Sequence, residues 1–398
     1  MKGVNKLHPH RRKRIFMPDT PRYDLILKNG HVLDAAQGIN GKRDVGIANG
    51  RVAAVEPDLP ADRAERAIDV AGRYVVPGLI DLHTHVYAGV SIFGIEADDL
   101  CPRTGVTTSI DVGSAGWVNF AGLKRYVIRP SQTRILAFVH LSAIGLTFRR
   151  GELIDEAWVQ PQECAKVVRE NRDVALGVKV RLYRGVGGDA DLVDLLKLTV
   201  DAAQRCESPL MVHISGSDVP LTQFLPLLRP GDIITHCCHG TDPATILDAR
   251  KKVLPEVREA RDRGIVFDIG HGAGSFHFDV GRVALEEGFP PDTISSDIHT
   301  FSINGPVFDL PTTMSKFLNL GMPLEEVIER STLRPARAIG KEQEMGSLRP
   351  GLPADAAVLD LRTGQWEMRD AYRNTRMGDK RLICSLSVRN GQVWHNAL

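Results

Sequence analysis

Between about residue 75 and residue 340 the chain alternates apolar, strand-like runs with longer stretches of helical periodicity, and no other feature narrows its fold as sharply. Parallel strands need a crossover of a dozen or more residues, usually a helix, so this alternation predicts a parallel sheet with crossover helices. The runs are GLIDLHTHV (78–86), GVTTSIDVG (105–113), ILAFVHLSA (135–143), LGVKVRLY (176–183), LMVHIS (210–215), DIITHCC (232–238), IVFDIGHG (265–272) and TISSDIH (293–299). Eight such strands with interleaved helices predict an α/β fold of the (β/α)8 TIM-like barrel type. Leu192, Leu195, Leu196, Thr199 and Ala203 fall at helical spacing, and PATILDARKKVLPEVREARDRG (243–264) also reads as helix.

The flanks differ. Residues 22–74 give short β runs separated by Asn-Gly and Ala-Gly turns, and after 340 GSLRPGLPADAAVLDL and RLICSLSVRNGQVW are β-like again. The simplest architecture is a barrel at 75–340 inserted into a small discontinuous β-sandwich built from 22–74 and 341–398, preceded by a basic tail at 1–21. With 43% hydrophobic and 25% charged residues in 398, the chain has a globular make-up. No apolar run approaches the roughly 18–20 residues of a membrane span, so no membrane partner is expected.

Formal charge is +1, but residues 1–16 hold six basic and no acidic side chains. Taking those six from the 50 basic residues leaves 44 against 49 acidic ones, a formal −5 for the body. That balance argues against a nucleic-acid groove. The basic run reads as a solvated tail, and Met17 is a candidate natural start. The six cysteines form no CxxC pair and no regular framework, which excludes a secreted disulfide scaffold and favours a cytoplasmic location. Cys237 and Cys238 read as small buried residues rather than thiolate ligands. A homo-oligomer is possible.

The strongest local signal for chemistry is His83-Thr84-His85 at the end of the first run. Strand side chains alternate, so both imidazoles face the barrel mouth while Thr84 faces the helices. Two converging neutral imidazoles suit a zinc ion, although a lone HxH also serves structural roles. The same rim, where barrel active sites lie, receives His213 from the fifth run, His236 from the sixth and Asp297 from the eighth. Lys179 in GVKVRLY points inward by the same alternation. An isolated buried ammonium is costly, so this lysine is either paired with an acid or neutral and open to reaction with carbon dioxide, giving a carbamate able to bridge two metals.

These residues resemble the amidohydrolase superfamily, which includes dihydroorotases, hydantoinases and deacylases. NGHVLD, PGLIDLHTHV, STLRPARAIG and GSLRPGLPADAAVLDL are similar to its landmarks over nearly the whole chain. DLHTHVY, GVTTSIDVGSAG, GVKVR, FDIGHGAGSFHF and TISSDIHT look like the deacetylase subgroup acting on acetylated α-hydroxy acids, such as acetyl-(R)-mandelate, and N-acetyl-D-amino acids. After His213 the chain reads Ser215-Gly216-Ser217-Asp218, where that subgroup is expected to carry a His- and Pro-rich loop.

The resemblance implies two divalent metal ions, expected to be Zn2+. His83, His85 and Asp297 would hold one, His213 and His236 the other, and carboxylated Lys179 would bridge them. The net charge of such a centre is positive, which suits an anionic substrate. A metal-activated bridging hydroxide would attack an acetyl ester or amide of a small carboxylate, with Asp297 moving the proton. Arg181 is a candidate clamp for the substrate carboxylate, or one half of a structural ion pair. His271 in GHGAGSF either orients substrate or holds its glycine-rich loop. His140, His239, His277 and His299 receive no role. A cyclic amide hydrolase of the dihydroorotase or hydantoinase kind shares every ligand and is the alternative. A non-catalytic scaffold is disfavoured because the chain keeps all six ligand positions.

Overall fold

The computed structural model describes residues 22–398; the basic tail at 1–21 and Met17 lie outside the described residues. The first five strands are β1 (Tyr23–Asp34), β2 (Ile39–Ala48), β3 (Arg51–Glu56), β4 (Ala64–Asp69) and β5 (Tyr74–Pro77). Seven more follow: β6 (Leu79–Thr84), β7 (Val106–Gly116), β8 (Arg134–His140), β9 (Ala175–Arg181), β10 (Leu210–His213), β11 (Ile233–Thr235) and β12 (Val266–Asp268). The chain ends with β13 (Ala356–Arg369), β14 (Thr375–Arg389) and β15 (Gln392–Asn396).

Strands β1–β5 and β13–β15 make one mainly antiparallel sheet in the order β15-β14-β13-β5-β1-β2-β3, with β4 also bonded to β1. The expected β-sandwich is therefore one continuous sheet in its hydrogen bonding. The reason lies in β1, whose first half pairs with β4 and whose second half pairs with β5. The register shifts between Leu27 and Gly30, where Asn29 has φ 63°. A bulge of this kind bends a strand and lets one sheet turn on itself. Gly30 allows the close approach, since a Cβ there would lie 2.4 Å from a Val75 methyl. Leu25, Leu27, Val45, Val75, Val358 and Leu386 sit in the apolar core that this sheet encloses.

Strands β6 to β12 form a curled sheet, each parallel to its sequence neighbour. Both faces are covered, which is why these segments read as nearly unbroken apolar runs. Ile80, Leu82, Ile110, Val112, Phe138 and Met211 pack together on one face. Val139, Val178, Val180 and Val212 face the helices on the other. Helix Leu192–Arg205 forms as its spacing predicts: the Asp191 side chain caps Val193 N and Asp194 N, and Leu192, Leu195, Leu196 and Ala203 are buried. Burial of each such leucine contributes about 1.5–3 kcal/mol.

Two expectations need correction. The eighth run, 293–299, is not a strand. It makes single parallel bridges, Thr293 to Asp268 at one edge of the sheet and Ile298 to Thr84 at the other. Asp297 has φ 47°, and a left-handed residue cannot continue an extended run. Of 243–264 only Pro255–Asp262 is helical. Upstream, the Asp248 carboxylate accepts from the backbone N–H groups of Arg250 and Lys252 and holds a turn. Pro255 then disfavours helical backbone at the residue before it.

Candidate metal centre

The C-terminal ends of β6, β9, β10 and β11, together with residues 293–298, bring His83, His85, Lys179, His213, His236 and Asp297 to one place. One ligand atom each of His83, His236 and Asp297 lie within 4.8 Å of one another. Asp297 Oδ1 is 3.4 Å from His83 Nε2 and 3.2 Å from His85 Nε2. The His213 and His236 rings are 4.1 Å apart, centroid to centroid. His236, like Asp297, has a left-handed backbone, with φ 72°, a conformation that costs an L-residue roughly 1–2 kcal/mol. The GHG turn makes room for both. A Cβ on Gly270 would sit 2.7 Å from His236 Nδ1, and one on Gly272 would sit 2.2 Å from Asp297 Oδ2.

Hydrogen bonds fix where His83, His213 and His236 carry their protons. The Thr235 hydroxyl donates to Asp268 Oδ2 (2.8 Å), so it accepts from His83 Nδ1 (2.8 Å) and leaves the Nε2 lone pair facing Asp297. His85 Nδ1 is 2.9 Å from Ser114 Oγ, and the Ser114 backbone N–H donates to the buried Asp111 carboxylate (2.9 Å). His213 Nε2 donates to the Ser215 carbonyl (3.0 Å), and His236 Nδ1 donates to the Gly270 carbonyl (2.6 Å). Carbonyls only accept. The two remaining nitrogens, His213 Nδ1 and His236 Nε2, therefore face each other 2.8 Å apart with lone pairs on both. That contact is repulsive unless a cation satisfies it. A proton is disfavoured, because burial holds both rings well below the usual histidine pKa.

The remaining groups agree. Burial holds His83 well down and pulls His85 to about 3, so both are in the neutral, metal-binding form. Lys179 Nζ and Asp297 Oδ1 are buried with no hydrogen-bond partner. Burial draws the lysine down to about 7 and pushes the aspartate up to about 6. An amine that can shed its proton near neutral pH, beside four neutral imidazoles and one carboxylate, is a donor set that fits divalent cations and carbamate formation, and each orphaned atom would gain a partner.

A cavity of about 250 Å3 opens over this cluster, with His83, His85, Lys179, His213 and Asp297 in its lining. Phe93, Tyr183, His299 and Phe301 form its walls. Arg181 reaches it but is held elsewhere: its Nε donates to the fully buried Glu152 (2.7 Å) and a terminal nitrogen donates to the Arg149 carbonyl (3.1 Å). His271 is not part of the lining. Its Nδ1 donates to the Gly272 carbonyl (2.9 Å), its Nε2 accepts from buried Lys316 (2.7 Å), and its ring lies 4.7 Å from Phe276. These are the contacts of a residue that holds a loop. Cys237 and Cys238 are buried side by side, and burial raises the Cys237 thiol far above its usual range. Sequence reasoning missed Asp111 and Asp268. Their signal was a carboxylate inside an apolar strand run, which must find buried donors.

The sequence model described as the amidohydrolase family matches residues 74–387, a span that contains every residue of this cluster. The chain belongs to the amidohydrolase family. It is 36% identical to a deacetylase of Agrobacterium fabrum, over 81% of this chain and 79% of that one. It is 32% identical to a deacetylase of Enterococcus faecalis, over 94% of this chain and 100% of that one. Among solved structures it is similar to one described as an adenine deaminase, with TM-score 0.87, 32% identity and coverage of 94% and 100%. Another, described as a dihydroorotase, has TM-score 0.86, 33% identity and coverage of 94% and 97%. The amidohydrolase fold thus extends across relatives named for different reactions, and the substrate has to be argued from the site.

Proposed function

We propose that this chain is a cytoplasmic binuclear metal hydrolase that removes an acetyl group from the ester or amide of a small α-substituted carboxylic acid. The observation that carries the reading is the facing pair of lone-pair nitrogens on His213 and His236 beside the orphaned Lys179 amine. His83, His85 and Asp297 would hold one divalent ion, His213 and His236 the other, and Lys179, carboxylated by carbon dioxide, would join them. Zinc suits the imidazole-rich set. The 293–298 segment, bridged to β6 and β12, supports a closed barrel at 75–340 inserted between the two halves of the terminal sheet.

When bound, such ions lower the pKa of water towards neutrality and polarise a carbonyl. The protein's own residues supply the rest. Asp297 accepts the proton of the attacking water at a carboxylate oxygen and returns it to the departing oxygen or nitrogen. The aromatic walls exclude water and seat the substrate's side group. The relay through Thr235 holds His83 in one tautomer throughout, and the Ser114 hydroxyl orients the His85 ring.

The relatives named deacetylases support removal of an acetyl group as the first reading. The dihydroorotase-described structure at 33% identity keeps cyclic amide hydrolysis as the second reading. Purified protein is to be assayed with N-acetyl-D-amino acids and acetylated α-hydroxy acids against dihydroorotate and hydantoins, alongside elemental analysis. Turnover of the acetyl compounds with about two metal equivalents is expected. Turnover of ring substrates alone selects the second reading, and active protein free of transition metal overturns both.

A further inference from the structure

Three guanidinium groups, those of Arg149, Arg150 and Arg181, line the cavity above the metal cluster. Among the described residues Asp297 is the only carboxylate in that lining, and the proposed metals claim it. Arg181 is the arginine that strand alternation singles out, yet Glu152 engages it, and its guanidinium carbon lies 5.7 Å from the Phe93 ring centre and 5.5 Å from that of Tyr183. Arg149 and Arg150 are different. Both are exposed at the mouth, and neither makes an ion pair among the described residues.

Their placement is nevertheless built. Glu152, three residues on from Arg149, is fully buried and bonded to Arg181, and Arg181 also donates to the Arg149 backbone carbonyl. A buried charged pair thus pins both ends of the 149–152 segment to the end of β9. The Leu146 carbonyl, earlier on the same loop, accepts from buried Ser91. The Arg149 guanidinium then lies 5.4 Å from the centre of the half-exposed Phe301 ring. The result is a cationic lip on one side of an aromatic-walled pocket.

We propose that Arg149 and Arg150 bind the carboxylate of the substrate at this lip, with Arg181 and Glu152 behind them as positioning residues. The inference rests on the function proposed above and narrows its substrates to carboxylates carrying an aromatic or apolar side group. Two guanidinium groups present forked donors that match a carboxylate's two oxygens. The lip also steers anions toward the centre, an effect that salt weakens.

The test uses the metal-loaded protein and a probe pair, phenylacetate and its neutral isostere phenylacetamide, with affinities measured by calorimetry. Wild type is expected to favour the acid, and Arg149→Met/Arg150→Met to lose about tenfold or more of that preference with amide binding unchanged. The single variants Arg149→Gln and Arg150→Gln should each lose part of it, and thermal melting checks that each protein is folded. In hydrolysis, the double variant should raise KM for acidic acetyl compounds while kcat stays within a few-fold, and Glu152→Gln should do the same more weakly. If no acetyl compound is turned over but the acid preference still depends on both arginines, the lip stands and the proposed reaction falls. A wild-type protein without preference for the acid, or a double variant that keeps it, overturns the inference.

Discussion

Thr235→Val removes one oxygen from the Asp268–Thr235–His83 relay and hardly changes the residue's shape. The hydroxyl lies 2.8 Å from both His83 Nδ1 and Asp268 Oδ2, and Thr235 and Asp268 are fully buried. Asp268 keeps its donors from Thr293 (2.6 Å) and Ser295 (2.8 Å), so the loss falls on the imidazole. A stranded buried N–H costs about 1–3 kcal/mol. A metal-binding histidine that loses its outer partner binds its ion about 10- to 100-fold more weakly, which is roughly 1.4–2.7 kcal/mol. Competition against a chromophoric chelator should show that rise in the metal dissociation constant, and the metal-free variant should melt below wild type. Thr235→Ser keeps the hydroxyl and should bind metal nearly as wild type does. A valine variant with undiminished metal affinity would show that this relay does not set the His83 tautomer, and the reasoning would fail.

Asp297→Asn keeps the side chain's size but cannot take up a proton at neutral pH; its turnover should fall by about 10^2-fold or more, and near-wild-type rates would remove Asp297 from the proton path. Gly272→Ala forces a Cβ to within 2.2 Å of Asp297 Oδ2 at a residue with φ 54°. It should lose about 1–2 kcal/mol from the backbone alone and retain less metal after dialysis, whereas an intact metal content would mean that the carboxylate has room to shift. Burial lowers Lys316 to about 7, so between roughly pH 7 and the ordinary lysine value the unfolded chain binds the extra proton. Wild-type stability should therefore rise with pH across that window, Lys316→Met should flatten the slope, and parallel slopes in denaturant titrations would contradict the assignment.

Much of the centre was legible because strand alternation and the habit of parallel sheets put reactive side chains at one rim. His83, Lys179, His213 and His236 lie at or beside the ends of strands placed within a few residues of their expected positions. What escaped depends on neighbours remote in sequence. Asp268 belongs to the His83 relay through Thr235, and no local pattern links those three. The 293–299 run has the composition of a strand, yet Asp297 turns left-handed with its carboxylate tucked beside Gly272. Arg181 pointed inward as expected, but its partner Glu152 comes from an irregular loop whose course periodicity does not reveal. The terminal sheet was foreseeable as β structure, whereas its continuity hinges on the register shift at Asn29.

The pairing of β5 with β13, Val75 opposite Val358, has a consequence for how the chain is made. The partners are about 280 residues apart, and such distant contacts form late. During synthesis the growing polypeptide exposes the β5 edge until β13 leaves the ribosome, the interval in which unpaired strands invite aggregation. A nonsense codon between residues 298 and 356 leaves that edge permanently open, so truncated products should be insoluble even though every residue of the metal cluster has already been translated.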